Sequence, residues 1–208
     1  MRKIILFIAC VLGVSASAQS VRMRDVFAAM PDSLMPLVTK NNRLDCIDFI
    51  ENNMEAKARN RADEFVELKK LTEDYLLFET SPMSRVEMKL LTMDDSTQVV
   101  CMVRTYMAPG ADSQVELFTA QWERVDKELA ARFVTARPEV EAFFAGRDQK
   151  DEAVRSAVLM LRDLPLMEAR LSADAPTLTW TIGLGELPKD EKKAAQKIVQ
   201  PIRQSLLR

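Results

Sequence analysis

Apolar residues recur along this chain with two alternating periods, and the changes of period divide it into elements. Met23, Val26, Phe27 and Met30 fall at i, i+3, i+4, i+7, which predicts an amphipathic helix over 21–30. Pro31 stops it, and Pro36 punctuates the connection that follows. Asn41 or Asn42 is a good cap for a second helix running to about Met54. Its inner face is read as Leu44, Ile47, Ile50 and Met54, and its outer face as Asp45, Asp48 and Asn52.

From about Val66 to Trp122 the period becomes two, and five strands are predicted at 64–71, 75–80, 85–92, 97–107 and 114–121. Glu73-Asp74, Ser81-Pro82, Asp94-Asp95 and Ala108-Pro109-Gly110 mark the turns. With Asp94-Asp95 as a two-residue turn, paired positions sum to 189. Val86 then faces Val103, Met88 faces Cys101 and Leu90 faces Val99, an apolar side to which the next strand adds Val115 and Leu117. The other side pairs Arg85 with Arg104, Glu87 with Met102 and Lys89 with Val100. That mixed side, completed by Tyr106, is the candidate partner face: Arg85, Glu87, Lys89, Arg104 and Tyr106.

Residues 123–137 carry no clear period. Pro138 can open a helix with Val140, Phe143 and Phe144 inward, Gly146 interrupts, and Asp148 is read as the cap of a helix to Arg162. Val154, Ala157, Val158 and Leu161 form that helix's stripe. Two strands follow at 166–172 and 177–184, the second alternating Leu178, Trp180, Ile182 and Leu184 with threonines. A final helix is predicted from Pro188, with Ala195, Ile198, Ile202 and Leu206 inward, kinked or broken near Gln200 by Pro201. The order predicts an α+β fold: an antiparallel β-meander with flanking helices in a single domain, the last two strands extending the same sheet.

The first 18 residues change the picture by giving an address. Met1-Arg2-Lys3 is a basic start, Ile4–Val14 an eleven-residue apolar run, and Ala16 and Ala18 stand in A-x-A register. This predicts a secretory signal cleaved after Ala18, leaving Gln19 first and a domain over 19–208. The run is short of the ~20 residues of a transmembrane helix. Cys10, after Phe7-Ile8-Ala9, offers the rival reading of a lipid-modified cysteine. The predicted address is outside the cytoplasm.

Removing Arg2 and Lys3 with the signal takes the formal charge from −2 to −4, with both signs interspersed, which argues against a nucleic-acid footprint. The chain has no histidine, which removes Ser-His-Asp and Cys-His catalysis and histidine zinc sites. With five glycines and no glycine-rich phosphate loop, no nucleotide cofactor is implied. The remaining weak signals have structural explanations. Asp45, Asp48 and Glu51 read as a solvated helix face rather than a cation site, and Asp94-Asp95-Ser96 as a tight turn rather than a calcium loop. Met83, Met88, Met93, Met102 and Met107 read as core filling rather than Cu(I) ligands beside Cys101, with Met88 and Met102 assigned to opposite faces. Cys46 and Cys101 are expected to be unbridged, although an oxidising compartment permits a bond.

The segments MPDSLMPLVTKNNRLDCIDFIE (30–51), DYLLFETSPMSRVEMKLL (74–91) and SQVELFTAQW (113–122) resemble an uncharacterised secreted-protein family of Bacteroidetes, a domain of unknown function of about 200 residues. The resemblance implies a Gram-negative envelope address, periplasmic or extracellular, and a single-domain product, and it supplies no catalytic residues. The first functional reading is a non-catalytic periplasmic or envelope binding or accessory protein, its partner an envelope protein or a glycan. The alternative is a histidine-free hydrolase using two carboxylates in the manner of glycosidases, about 5–9.5 Å apart with one acid's pKa raised.

Overall fold

The computed structural model describes residues 21–93, 97–148, 150–185 and 187–207. The chain begins with helix α1 (Met23–Ala29), whose Met23, Val26 and Phe27 are buried as the spacing predicts. A 3₁₀ turn at Asp32–Leu34 leads to α2 (Lys40–Glu51). Thr39 caps α2 with a reciprocal box: Asn42 N donates to Thr39 Oγ1 at 3.2 Å and Thr39 N donates to Asn42 Oδ1 at 3.0 Å. The buried face of α2 is Arg43, Cys46 and Ile47, one step round from the expected stripe. Leu44 and Ile50 are half-buried, and Met54 lies beyond the helix, exposed.

Six strands follow as a meander, each antiparallel to the last: β1 (Lys57–Arg59), β2 (Phe65–Leu71), β3 (Tyr75–Ser81), β4 (Ser84–Thr92), β5 (Gln98–Tyr106) and β6 (Asp112–Thr119). β1 is an addition to the predicted set; three residues are too few to show a period. The β4–β5 register differs from the expected one by a residue. Val86 pairs with Arg104, Glu87 with Val103, Met88 with Met102, Lys89 with Cys101 and Leu90 with Val100, so positions sum to 190. Met93 N donates to Thr97 O at 3.1 Å, closing the hairpin across 93 and 97; the proposed Asp94-Asp95 turn lies outside the described residues.

The physical reason for that slip is burial on both faces. Positions 86–91 of β4 are all buried, as are 99–103 of β5. One face carries Val86, Met88, Leu90, Val100 and Met102 into a core with Met23, Val26, Phe27, Cys46 and Ile47. The other carries Leu91, Val99, Cys101, Val103 and Leu117 into a core formed with the C-terminal third. β4 alternates, but β5 is apolar on both sides from Val99 to Val103 and so offers no alternation by which to choose its register.

The C-terminal layer opens with a short helix, α3 (Lys127–Ala130), in the stretch without a period. Residues 140–144 form a 3₁₀ turn with Val140, Phe143 and Phe144 buried. In α4 (Glu152–Asp163), Val154, Ala157, Val158 and Leu161 are buried as predicted, and the cap is Asp151 rather than Asp148. β7 (Met167–Leu171) and β8 (Thr177–Ile182) pair as expected. They do not extend the meander: with β9 (Ile202–Ser205) they make a separate sheet, ordered β7-β8-β9. α5 (Lys189–Ile198) ends where the proline predicts, and the chain continues as strand instead of helix. Pro201 has no amide to donate and biases Gln200 to extended backbone, so Ile202–Ser205 emerges already suited to pairing with β8. The result is an α+β fold of three layers, with the six-stranded sheet in the middle.

Candidate functional site

The corrected register separates the five residues read as one face. Arg85, Glu87 and Lys89 point to the C-terminal layer, whereas Arg104 and Tyr106, facing Val86 and Ser84, lie on the helical side. Glu87 and Lys89 are only 1% and 4% exposed. Charged groups so deep persist only when paired, and these are. Glu87 Oε1 lies 2.6 Å from Arg170 Nε and 3.5 Å from Arg85 Nε, as ion pairs rather than aligned hydrogen bonds. Arg85 also pairs with Glu168. Lys89 Nζ donates to the Ala173 carbonyl at 2.7 Å and forms an ion pair with Asp74 Oδ2 at 2.7 Å.

The reason for placing a carboxylate there is the edge of β7. Its Glu168 and Arg170 face Thr181 and Thr179 of β8, which leaves the amides of Met167, Ala169 and Leu171 directed the other way. Each finds a side-chain acceptor on the large sheet. Met167 N donates to Asp112 Oδ1 at 3.0 Å, Ala169 N to Ser113 Oγ at 2.9 Å, and Leu171 N to Glu87 Oε2 at 2.6 Å. Burial pushes the Glu87 carboxyl above the ordinary carboxylate range, opposed by Arg170, the Leu171 amide and Arg85. Burial likewise pushes Tyr75 up to about 12, with Glu87 adding to it. A raised carboxyl is what a general acid needs, but this one is walled off from solvent and committed to a backbone amide. Its arrangement is that of an anchor between two sheets.

Arg104 and Tyr106 lie where the helical layer stops short of the sheet. There a groove of about 450 Å³ runs between residues 33–38 and the ends of β3, β4 and β5, with Thr80, Ser84, Val86, Arg104 and Tyr106 on its sheet side. Tyr106 is 53% exposed and Leu37, on the opposite wall, 51%. Arg104 Nη1 is 3.5 Å from Glu116 Oε2, while Arg124 holds the other Glu116 oxygen at 2.7 Å. Thr80 and Ser81 each meet the Ser84 hydroxyl, at 2.7 and 2.8 Å. Sequence reading missed this hydroxyl trio and the 33–38 wall because Ser81-Pro82 and Pro31…Pro36 registered only as turn signals.

Asp45, Asp48 and Glu51 stand exposed on α2, and among the described residues no group of three or more His, Cys, Asp or Glu is placed to hold a metal ion. Met88 and Met102 are cross-strand partners on one face, a correction to their expected opposition, and Cys101 lies on the other face. Cys46 and Cys101 are free, buried in different cores with the large sheet between them. Burial pushes Cys46 up to about 11, helped by Asp45, and Cys101 up to about 12. Both thiols should therefore resist a thiol reagent in the native protein, and denaturation without reductant should release two. One thiol reacting fast in the native state would contradict this placement.

Comparison with known proteins adds kinship without a role. A family model described as "Protein of unknown function (DUF3256)" matches residues 15–206. A solved structure described as a domain of an uncharacterized protein from Porphyromonas gingivalis W83 is similar at a TM-score of 0.68 and 26% identity. That likeness covers 86% of this chain and 90% of the other. No curated protein matches.

Proposed function

The chain belongs to the family described as protein of unknown function (DUF3256), and from its geometry we propose that it is a non-catalytic binding or accessory protein exported to the cell envelope. The observation that carries the reading is the uncovered corner of a sheet otherwise buried on both faces, where Arg104, Tyr106 and Leu37 meet at a groove. Tyr and Arg are the residue types enriched at protein contact surfaces. The signal-like first 18 residues support export, and the lack of histidine supports a role without general-base chemistry. Among the described residues, no helix is long and apolar enough to cross a membrane. Of the five residues first read as the partner face, the proposal retains Arg104 and Tyr106.

Replacing Arg104 and Tyr106 together by alanine should leave the melting temperature within a few degrees, since such partly exposed positions cost about 0.5 kcal/mol each. The same change should weaken capture of an envelope partner in a pull-down. Unchanged capture would remove this corner from the function. Intact mass of protein recovered from the periplasm should correspond to a chain starting at Gln19; a diacylglyceryl-modified chain starting at Cys10 would instead place it on a lipid anchor.

A further inference from the structure

The cations of this chain fall into two populations according to their partners. Among the described residues from Val21 to Val125, every Lys and Arg except Lys40 and Lys70 is ion-paired with a carboxylate. The helices of the C-terminal layer break that rule. Arg155 of α4 and Lys189, Lys193 and Lys197 of α5 are exposed, and none of them has a carboxylate partner among the described residues. The three lysines stand at i, i+4 and i+8 on the side of α5 opposite buried Ala195. Like charges at that spacing repel, so the row does not serve the helix's own stability. The acids of α5, Asp190 and Glu191, are confined to its first turn. At the other end Arg147 donates to the carbonyls of Lys197 and Ile198, each at 3.3 Å, and adds a fourth cation.

α4 lies against α5, and both sink their apolar stripes into one core, so their outer sides adjoin. Where α5 is basic, the outer side of α4 is apolar. Leu159 is 59% exposed, and Met160 and Leu164, the last just past the helix end, are exposed as well. Arg155 and Arg162, the latter paired with Glu141, flank Leu159. The outward acids of α4, Glu152 and Asp163, stand at its two ends. Lysine is depleted at protein interfaces, where arginine and aromatic side chains are favoured. Lysines beside exposed aliphatic side chains are instead what an interfacial helix presents to anionic lipid. We propose that the α4–α5 face docks on the surface of an anionic phospholipid bilayer, with Lys189, Lys193, Lys197 and Arg147 among the headgroup phosphates and Leu159, Met160 and Leu164 at the boundary with the acyl chains. The proposal takes the envelope address from the reading above and adds a second surface, across the middle sheet from the Arg104 and Tyr106 corner.

The test is co-sedimentation of the chain from Gln19 onward with vesicles of phosphatidylethanolamine and phosphatidylglycerol, against vesicles of phosphatidylcholine alone. Partition onto the anionic vesicles should exceed that onto the neutral ones by about tenfold or more, and should weaken as salt rises from about 50 to about 300 mM. Lys189→Gln, Lys193→Gln and Lys197→Gln together should remove most of that preference. Lys40→Gln with Lys70→Gln, which takes unpaired charge from elsewhere, should leave it intact. Leu159→Ser with Met160→Ser should lower partition several-fold while keeping the preference for anionic lipid. All of these positions are on the surface, so a melting temperature within a few degrees of the parent shows that each variant is folded. Equal partition onto both kinds of vesicle, partition onto neither, or the same loss from the Lys40 and Lys70 control as from the α5 row would overturn the proposal. Partition onto neither, together with weakened partner capture by the α5 variant, would overturn it by giving the face to a protein. Failure of the earlier reading shows separately, as unchanged partner capture by the Arg104 and Tyr106 double variant.

Discussion

Replacing Arg43 by methionine is expected to lower the melting temperature by about 10 °C, from a loss of about 4 kcal/mol at some 2–4 °C per kcal/mol for a chain of this size. Arg43 is fully buried on α2 and joins three consecutive pieces of chain. Its Nε donates to the Phe27 carbonyl at 3.2 Å and its Nη1 to the Val38 carbonyl at 2.9 Å, while Nη2 donates to the Met30 carbonyl. Nη1 also pairs with Asp32 Oδ1 at 3.0 Å. Phe27 and Met30 are at the end of α1, where helix carbonyls lack intrahelical donors. Methionine fills the space and leaves the Met30 and Val38 carbonyls unsatisfied, each costing about 1–3 kcal/mol, whereas the Phe27 carbonyl keeps the Met30 amide at 3.3 Å. Arg43→Lys should fall between the two, because an ammonium cannot reach acceptors spread around a planar fork. A methionine variant melting within about 2 °C of the parent would mean that the carbonyls find other donors.

Glu87→Ala should cost about 3 kcal/mol near neutral pH, and Glu87→Gln clearly less. Alanine leaves the Leu171 amide without an acceptor and Arg170 and Arg85 without their shared anion. Glutamine keeps an acceptor for the amide. The two also separate by pH. Because the folded-state pKa of Glu87 is raised, the native state holds its proton more tightly than the unfolded chain does. That contribution to stability is fully present below the ordinary carboxylate range, near pH 4.3, and is lost as pH rises through the raised folded value. Glutamine cannot titrate, so the deficit of Glu87→Gln relative to the parent should shrink as pH climbs from about 4 towards 7. A deficit that grows over that window would show that the ion pairs outweigh burial. Equal losses for Ala and Gln would remove the amide bond as the dominant interaction.

These residues also show where the sequence was readable. The stripes of α1 and α4 and the alternation of β8 were legible because each element has one apolar face and one wet one. The middle sheet was not, because both its faces are covered. There Glu87 and Lys89 looked like the polar side of a half-exposed meander, and only their three-dimensional partners, Leu171, Arg170, Ala173 and Asp74, reveal why charges sit inside. Arg43 was hidden for the same reason. A charged residue flanking an apolar stripe reads as the helix boundary with water until the carbonyls it satisfies are placed around it. The candidate site was half legible: Arg104 and Tyr106 reach the groove, but its far wall comes from residues 33–38, some seventy positions upstream, and local pattern cannot express that juxtaposition.

The side-chain acceptors beneath β7 have a consequence for how this protein behaves in a crowd. A strand at the margin of a sheet ordinarily offers its amides to any extended chain that drifts past, and fibrillar association starts on such margins. Here Asp112, Ser113 and Glu87 already occupy the amides of Met167, Ala169 and Leu171. An intruding strand would have to displace one of these two carboxylates or the hydroxyl for every amide it took. The margin is closed without another strand to close it, and mispairing along β7 first requires prising the two sheets apart.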